Sequence, residues 1–301
     1  MQDNVALRGF MKHIIDEDCN LIDFLANLYP QSSKNKLRKM LTEGRIYVNG
    51  QETHKAKTEL KKGDTIEIRD KTKLSDENQL KSEKRHKLKI DIIFEDEDIL
   101  IIDKPCKKLS IATDKLEQDT IHSLSVDYLR GKNKSAWAYI VHRLDKETSG
   151  VMILAKNKPA KEYLQEQFAN REIHRVYHAL VEGKPGNERG TIEQYLIEDK
   201  NLNIKSVKKS NQQAKLAITH YEIIGNNEDT SMVKVLIETG RRHQIRMAMK
   251  EIQTPIVGDK THGAQTDPIN RICLHASSLE FLHPSTDEPV RFESPIPFKL
   301  M

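Results

Sequence analysis

His142-Arg143-Leu144-Asp145-Lys146-Glu147-Thr148-Ser149-Gly150, continued by Val151-Met152-Ile153-Leu154-Ala155-Lys156, is the stretch on which the reading of this chain turns. Its second half is a short apolar run bounded by turn residues, the pattern of a strand buried in a sheet. Its first half sets one carboxylate, Asp145, between an arginine and a Thr-Ser-Gly turn. A charge on a turn beside a buried strand is costly to desolvate unless it is paired or has a chemical task. Asp145 is therefore the first candidate functional residue.

Outward from this stretch the pattern repeats. Apolar segments at 92–94 and 99–102 flank an acidic turn, and 176–181 and 232–237 read as strands ending at Glu182-Gly183 and Thr239-Gly240. Residues 158–171 read as a helix, with Pro159 in its first turn and Tyr163, Leu164 and Phe168 on one face. Many strands with few helices between them predict an α+β domain over 88–301, built around a largely antiparallel mixed sheet with a central cleft.

Upstream, residues 71–87 (KTKLSDENQLKSEKRHK) are almost wholly polar and read as a flexible linker. Before them lies a compact unit at 20–70, preceded by a tail at 1–19. Leu21, Phe24, Leu25 and Leu28 recur at helical spacing, and a second helix runs from Ser33 to a stop at Gly44. Residues 45–48 and 65–68 read as strands, Asn49-Gly50 as a tight turn. Between Ser32 and Lys62 nine Lys and Arg face three Glu, an excess of six that exceeds the whole chain's net charge of +4. Basic charge concentrated in a small module is the electrostatic footprint of phosphate binding, although a lone basic helix is more often just a solvated face.

The 301 residues suit about two domains. Three cysteines, Cys19, Cys106 and Cys273, are too few and too scattered for a disulfide framework and fit a reduced, cytoplasmic setting. There is no basic-then-apolar leader and no apolar stretch of membrane-spanning length. His142, His243 and His275 lack metal-ligand spacing, and glycine-rich phosphate loops are absent, so no metal and no nucleotide cofactor is expected. With no coiled-coil pattern or conspicuous apolar face, the chain reads as a monomer.

Polar residues concentrate in three segments: the Asp145 turn, Arg175-Val176-Tyr177-His178-Ala179-Leu180-Val181-Glu182-Gly183, and Thr239-Gly240-Arg241-Arg242-His243-Gln244-Ile245-Arg246 running into Pro255-Ile256-Val257-Gly258-Asp259. Singly, each has a structural explanation: a turn acceptor, a core tyrosine, half of an ion pair. In this order they resemble the RluA-type RNA pseudouridine synthases, and the resemblance covers nearly all of 88–301. The segment 274–281 with His283-Pro284 is similar to that family's closing segment. The unit at 20–70 resembles the αL RNA-binding module of a small-subunit ribosomal protein and of several RNA-modifying enzymes.

The resemblance implies isomerisation of uridine already in RNA, without metal, redox or nucleotide cofactor. It implies Asp145 as the catalytic carboxylate, kept ionised by a cation beside it, with either attack at C1′ or proton removal at C2′ open to it. It implies Arg246 as the arginine that pairs with Asp145, so that two distant motifs meet. Tyr177 is implied as the ring that stacks on the target uracil and assists proton removal at C5, and Arg143 as the side chain filling the gap left in the RNA stack. On the module it assigns Lys34, Lys36, Arg38, Lys39 and Arg45 to RNA. Structured RNA is the implied partner, large-subunit ribosomal RNA first and transfer RNA second. Three positions depart from the family pattern: Cys106-Lys107-Lys108 lacks the usual glycine after Lys104-Pro105, Arg175 stands where lysine is commoner, and Thr261-His262-Gly263 where Tyr-Gly is usual. A non-catalytic RNA-binding protein and an aspartate-dependent glycosidase are the competing readings. The second lacks the paired carboxylate that chemistry requires.

Overall fold

A computed structural model describes residues 10–69, 90–113, 117, 119–200 and 203–301. They form two compact units, an N-terminal one, with which residues of 111–123 group, and a larger one from 90–110 and 124–301. The linker expected at 71–87 lies outside the described residues.

In the N-terminal unit, Leu21 and Leu25 stand one turn apart and are buried by helix α1 (Leu21–Leu28). The Ser33 hydroxyl accepts the Lys36 N–H at 3.3 Å and starts α2 (Lys34–Thr42), whose Leu37, Met40 and Leu41 form its buried face. Such a cap contributes about 1 kcal/mol. Short strands complete the unit: β1 (Phe10–Ile14), β2 (Cys19–Asn20), β3 (Ile46–Val48), β4 (Gln51–Glu52), β5 (Glu59–Leu60) and β6 (Thr65–Arg69). They pair antiparallel as β1-β6-β3-β4, with β2 on β5. Both helices share one core with Ile15, Ile46, Leu60, Ile66 and Ile68. Residues 10–19, read from the sequence as tail, thus belong to the unit: β1 registers with β6 over its whole length and Ile15 is buried. Met11 and Ile14 are exposed, so the segment shows no inside–outside alternation; its ladder with β6 makes it a strand.

The larger unit contains β7 (Asp91–Glu95), β8 (Ile99–Lys104), β9 (Tyr139–Ile140), β10 (Ser149–Ala155), β11 (His174–Glu182), β12 (Arg189–Glu198), β13 (Ile204–Val207), β14 (Lys215–Asn226), β15 (Thr230–Ile237), β16 (Leu274–Leu282) and β17 (Pro289–Glu293). Its helices are α3 (Ile121–Lys132), which belongs to it from Leu124 on, α4 (Lys158–Asn170) and α5 (Gln244–Glu251). The strands form one sheet in the order β13-β12-β14-β15-β11-β16-β10-β8-β7, with β17 on β16 and β9 on β10. Among the described residues every pair is antiparallel except β10 with β16. The α+β reading with a largely antiparallel mixed sheet holds.

The apolar run that drew attention in the sequence is β10, buried along its full length. Its Val151 and Ile153 pack with Ile99 and Ile101 of β8 and with Ala160 and Leu164 of α4. Asn157 caps α4 by accepting the Ala160 N–H at 2.9 Å, and Pro159 occupies its first turn. Where β10 meets β16, Gly150 has φ +113 and a Cβ would stand 2.1 Å from the Ala276 carbonyl oxygen. Only glycine fits, and this close parallel contact puts the Asp145 turn at the edge of the sheet's centre.

Candidate active site

The turn that carries Asp145 is tied down from several sides. Lys104, fully buried, donates its ammonium to the carbonyls of Pro105 (3.0 Å), Lys146 (3.1 Å) and Thr148 (2.6 Å). Burial lowers the Lys104 amine to about 8 against the pull of Cys106, Asp145 and Glu147. The Ser110 hydroxyl donates to Leu144 O at 2.6 Å and accepts Leu144 N–H at 3.1 Å, and Thr148 N–H closes the turn onto Asp145 O at 3.1 Å. At the start of β10, Ser149 Oγ receives Arg271 Nη2 at 2.7 Å and lies 2.8 Å from His275 Nδ1. These bonds fix the backbone on both sides of Asp145.

The third polar segment comes to Asp145 as a helix start. His243 takes the left-handed conformation (φ 54, ψ 18) as N-cap of α5, and its backbone N–H favours the ionised form of the Asp145 carboxyl. Arg246, one turn into α5, is 5% exposed and forks onto the fully buried Asp259: Nε to Oδ2 at 2.7 Å, Nη2 to Oδ1 at 2.6 Å. The expected partnership of Arg246 with Asp145 therefore takes another form. The bidentate bond goes to Asp259, and Asp145 lies in the field of the Arg246 guanidinium, followed by those of Arg143 and Arg242. Burial outweighs these cations and the His243 N–H, so the Asp145 carboxyl is pushed above the usual carboxylate range. The cation expected beside Asp145 is present, but the desolvation of its turn is the larger effect.

Tyr177 lies on β11, 7% exposed, next to a register shift between Val176 and Tyr177 against β16. Such irregularities re-aim a side chain. Burial raises its phenol, Arg175 works against that and Asp145 adds to it; with Arg246 acting on Asp145, the three segments share one electrostatic environment. Arg175 is a buried guanidinium whose Nη2 reaches Glu238 O at 3.3 Å and whose Nε has no partner, with Phe168 beneath it at 5.5 Å. His142 stacks on the same Phe168 at 4.9 Å and accepts the Ile153 N–H at 3.1 Å; burial and Arg175 hold its imidazole down at about 3. His142 is thus a neutral strut between the Asp145 stretch and β10.

A family model described as RNA pseudouridylate synthase matches residues 98–251, just over half of the chain, and one described as S4 domain matches 20–66. The chain belongs to the RNA pseudouridine synthase family. An uncharacterized RNA pseudouridine synthase of Bacillus subtilis, YlyB, is 33% identical to the synthase over 91% of this chain and 89% of its own. The ribosomal large subunit pseudouridine synthase D of Vibrio cholerae is 31% identical over 91% of this chain and 86% of its own. Among solved structures, human RNA Pseudouridylate Synthase Domain Containing 1 superposes with a TM-score of 0.57 at 25% identity, covering 70% of the synthase and 85% of that chain.

Arg143 of the synthase is exposed beside Asp145. On its S4 unit, Lys34, Lys36, Arg38 and Lys39 all project from α2 into solvent, with Lys39 4.0 Å from Glu43. Arg45 is half-buried and donates Nε to Arg69 O at 2.9 Å, so part of its hydrogen-bonding capacity holds β3 to the end of β6. The sequence motifs contained Lys104, Asp259 and His262 without giving any of them a role. The signals were present in Lys104-Pro105 and Gly258-Asp259, but a supporting lysine and a carboxylate 13 residues beyond its arginine announce no role until folded. Among the described residues no helix is long and apolar enough to cross a membrane.

Proposed function

We propose that the synthase converts uridines of a structured RNA to pseudouridine with Asp145 as the reacting carboxylate. One juxtaposition carries the reading: a half-buried Asp145 on a tied-down turn, in the field of the Arg246 guanidinium, with Tyr177 in the same environment. In the isomerisation the N1–C1′ bond breaks, C5–C1′ forms, C5 loses a proton and N1 gains one. Atoms balance without a redox partner. Asp145 suits either attack at C1′ or proton removal at C2′. Its base must first leave the stack, at a cost of a few kcal/mol, and the Tyr177 ring suits stacking on it, worth about 1–3 kcal/mol. The Tyr177 phenol then assists departure of the C5 proton. Exposed Arg143 suits the gap left behind, and the basic face of α2, with Arg45 at its edge, suits phosphates. Large-subunit ribosomal RNA is the first substrate, by analogy with relatives named for it, with transfer RNA the alternative.

The test is pseudouridine mapping of total RNA from cells lacking the protein, rescued by wild type or by Asp145→Asn. A discrete site restored only by wild type names the substrate and supports Asp145 together. Restoration by both variants sinks the assignment of Asp145.

A further inference from the structure

We infer that His262 is a positioning residue for Asp145: its hydrogen bond to His243 holds that residue in the left-handed turn from which the His243 backbone N–H favours the ionised carboxylate. The inference rests on the proposed role of Asp145 and deepens it.

His243 is in the left-handed conformation, which residues other than glycine seldom adopt, at a cost the surroundings must offset. It stands as N-cap of α5, yet its side chain caps nothing. Instead its Nδ1 lies 3.1 Å from His262 Nε2, with the rings edge to face at 5.2 Å and 81°. His262 is 5% exposed and is itself fixed by the short helix Lys260–His262, where its N–H donates to Asp259 O at 3.0 Å. Asp259 is the residue that forks Arg246. One short segment, 259–262, therefore grips the first turn of α5 from two sides, Arg246 through a carboxylate and His243 through an imidazole.

Two facing imidazole nitrogens form a hydrogen bond only when one carries the proton between them. Around the pair stand Arg246, Arg242 and Lys250 as cations, Asp259 and Asp145 as anions. Burial holds His243 down at about 3 and lowers His262 as well, so both rings are neutral at neutral pH and the shared proton persists. A buried aromatic that merely filled space needs no nitrogen at this point. Its replacement by phenylalanine separates the two possibilities.

The experiment compares wild type, His262→Phe and His262→Gln on the RNA site identified for wild type. Phe keeps the ring and loses the nitrogens; Gln restores a polar atom near the position of Nε2. The expected result is a fall in kcat of about tenfold to a hundredfold for His262→Phe with KM for RNA unchanged, and recovery of most of it by His262→Gln. The Asp145 carboxyl titration, followed by ¹³C NMR, rises by about one pH unit in His262→Phe and returns in His262→Gln, because one donor to the ionised form is misaligned. Equal turnover in wild type and His262→Phe, or equal loss in both variants with unchanged Asp145 titration, overturns the inference. If His262→Phe does not fold, ¹⁵N imidazole spectra of wild type decide: opposite protonation of the facing nitrogens His243 Nδ1 and His262 Nε2 supports the bond, and the same protonation at both, or two rings titrating independently near pH 6.5, overturns it. The NMR arms do not depend on turnover, so a wild type that makes no pseudouridine defeats the proposed function and leaves this inference separately decided.

Discussion

Replacing both Arg246 and Asp259 with apolar residues should separate what their fork does for stability from what it does for reaction. The pair is bonded at 2.7 and 2.6 Å with the two residues 5% and 0% exposed, so neither charge has water to fall back on. Arg246→Ala leaves Asp259 buried and unpaired, which costs about 3–5 kcal/mol. Arg246→Lys keeps the charge but not the planar fork, and loses one charge-assisted bond worth about 1.5–3 kcal/mol. In the double variant Arg246→Met with Asp259→Leu no charge remains to be desolvated, and stability returns to within about 1 kcal/mol of wild type. Turnover behaves differently. Asp145 loses the cation that most opposes its protonation, so the double variant stays at least about a hundredfold down. Urea unfolding of the larger unit can be followed through Trp137, the single tryptophan of the chain. A double variant that recovers both stability and turnover refutes a role for Arg246 at Asp145. A cost below about 1 kcal/mol for Arg246→Ala refutes the fork as a major tie.

In the proposed role Asp145 acts ionised, and burial has moved its folded value upward; activity is then expected above that value and lost as pH falls through it. The acid limb of kcat/KM should lie above the ordinary aspartate value of about 3.9, and a rate that stays flat down to pH 4 contradicts this. Changing Lys34, Lys36, Arg38 and Lys39 together to Gln should flatten the dependence of log Kd on log salt by about 0.7–0.9 for each lost phosphate contact; an unchanged slope removes the basic face of α2 from the RNA interface. Gly150→Ala should lower stability by more than about 2 kcal/mol in thermal unfolding, since the methyl meets backbone of β16 and the positive φ is strained; wild-type stability would mean that β10 and β16 do not approach so closely.

Local chemistry was legible in the sequence. Ser33 and Gly44 bracket α2 because capping depends on neighbouring residues alone, and the apolar run after Asp145 is a buried strand because its length and flanks exclude most alternatives. Three motifs in order identified the family, and with it the reacting carboxylate proposed here. Long-range pairing was not legible. Phe10–Ile14 carries no alternation and is a strand because β6 offers it a ladder. Arg246, read at the end of a strand, stands on a helix that begins at a left-handed histidine, a start that no capping residue announces. The carboxylate it grips is Asp259 rather than Asp145, and the net push on Asp145 is upward, because the distance between charges and the loss of water are set only when segments more than a hundred residues apart in sequence pack together. Residue identity and short-range spacing determined which chemical groups this protein has; the folded packing decided which of them meet, and how strongly.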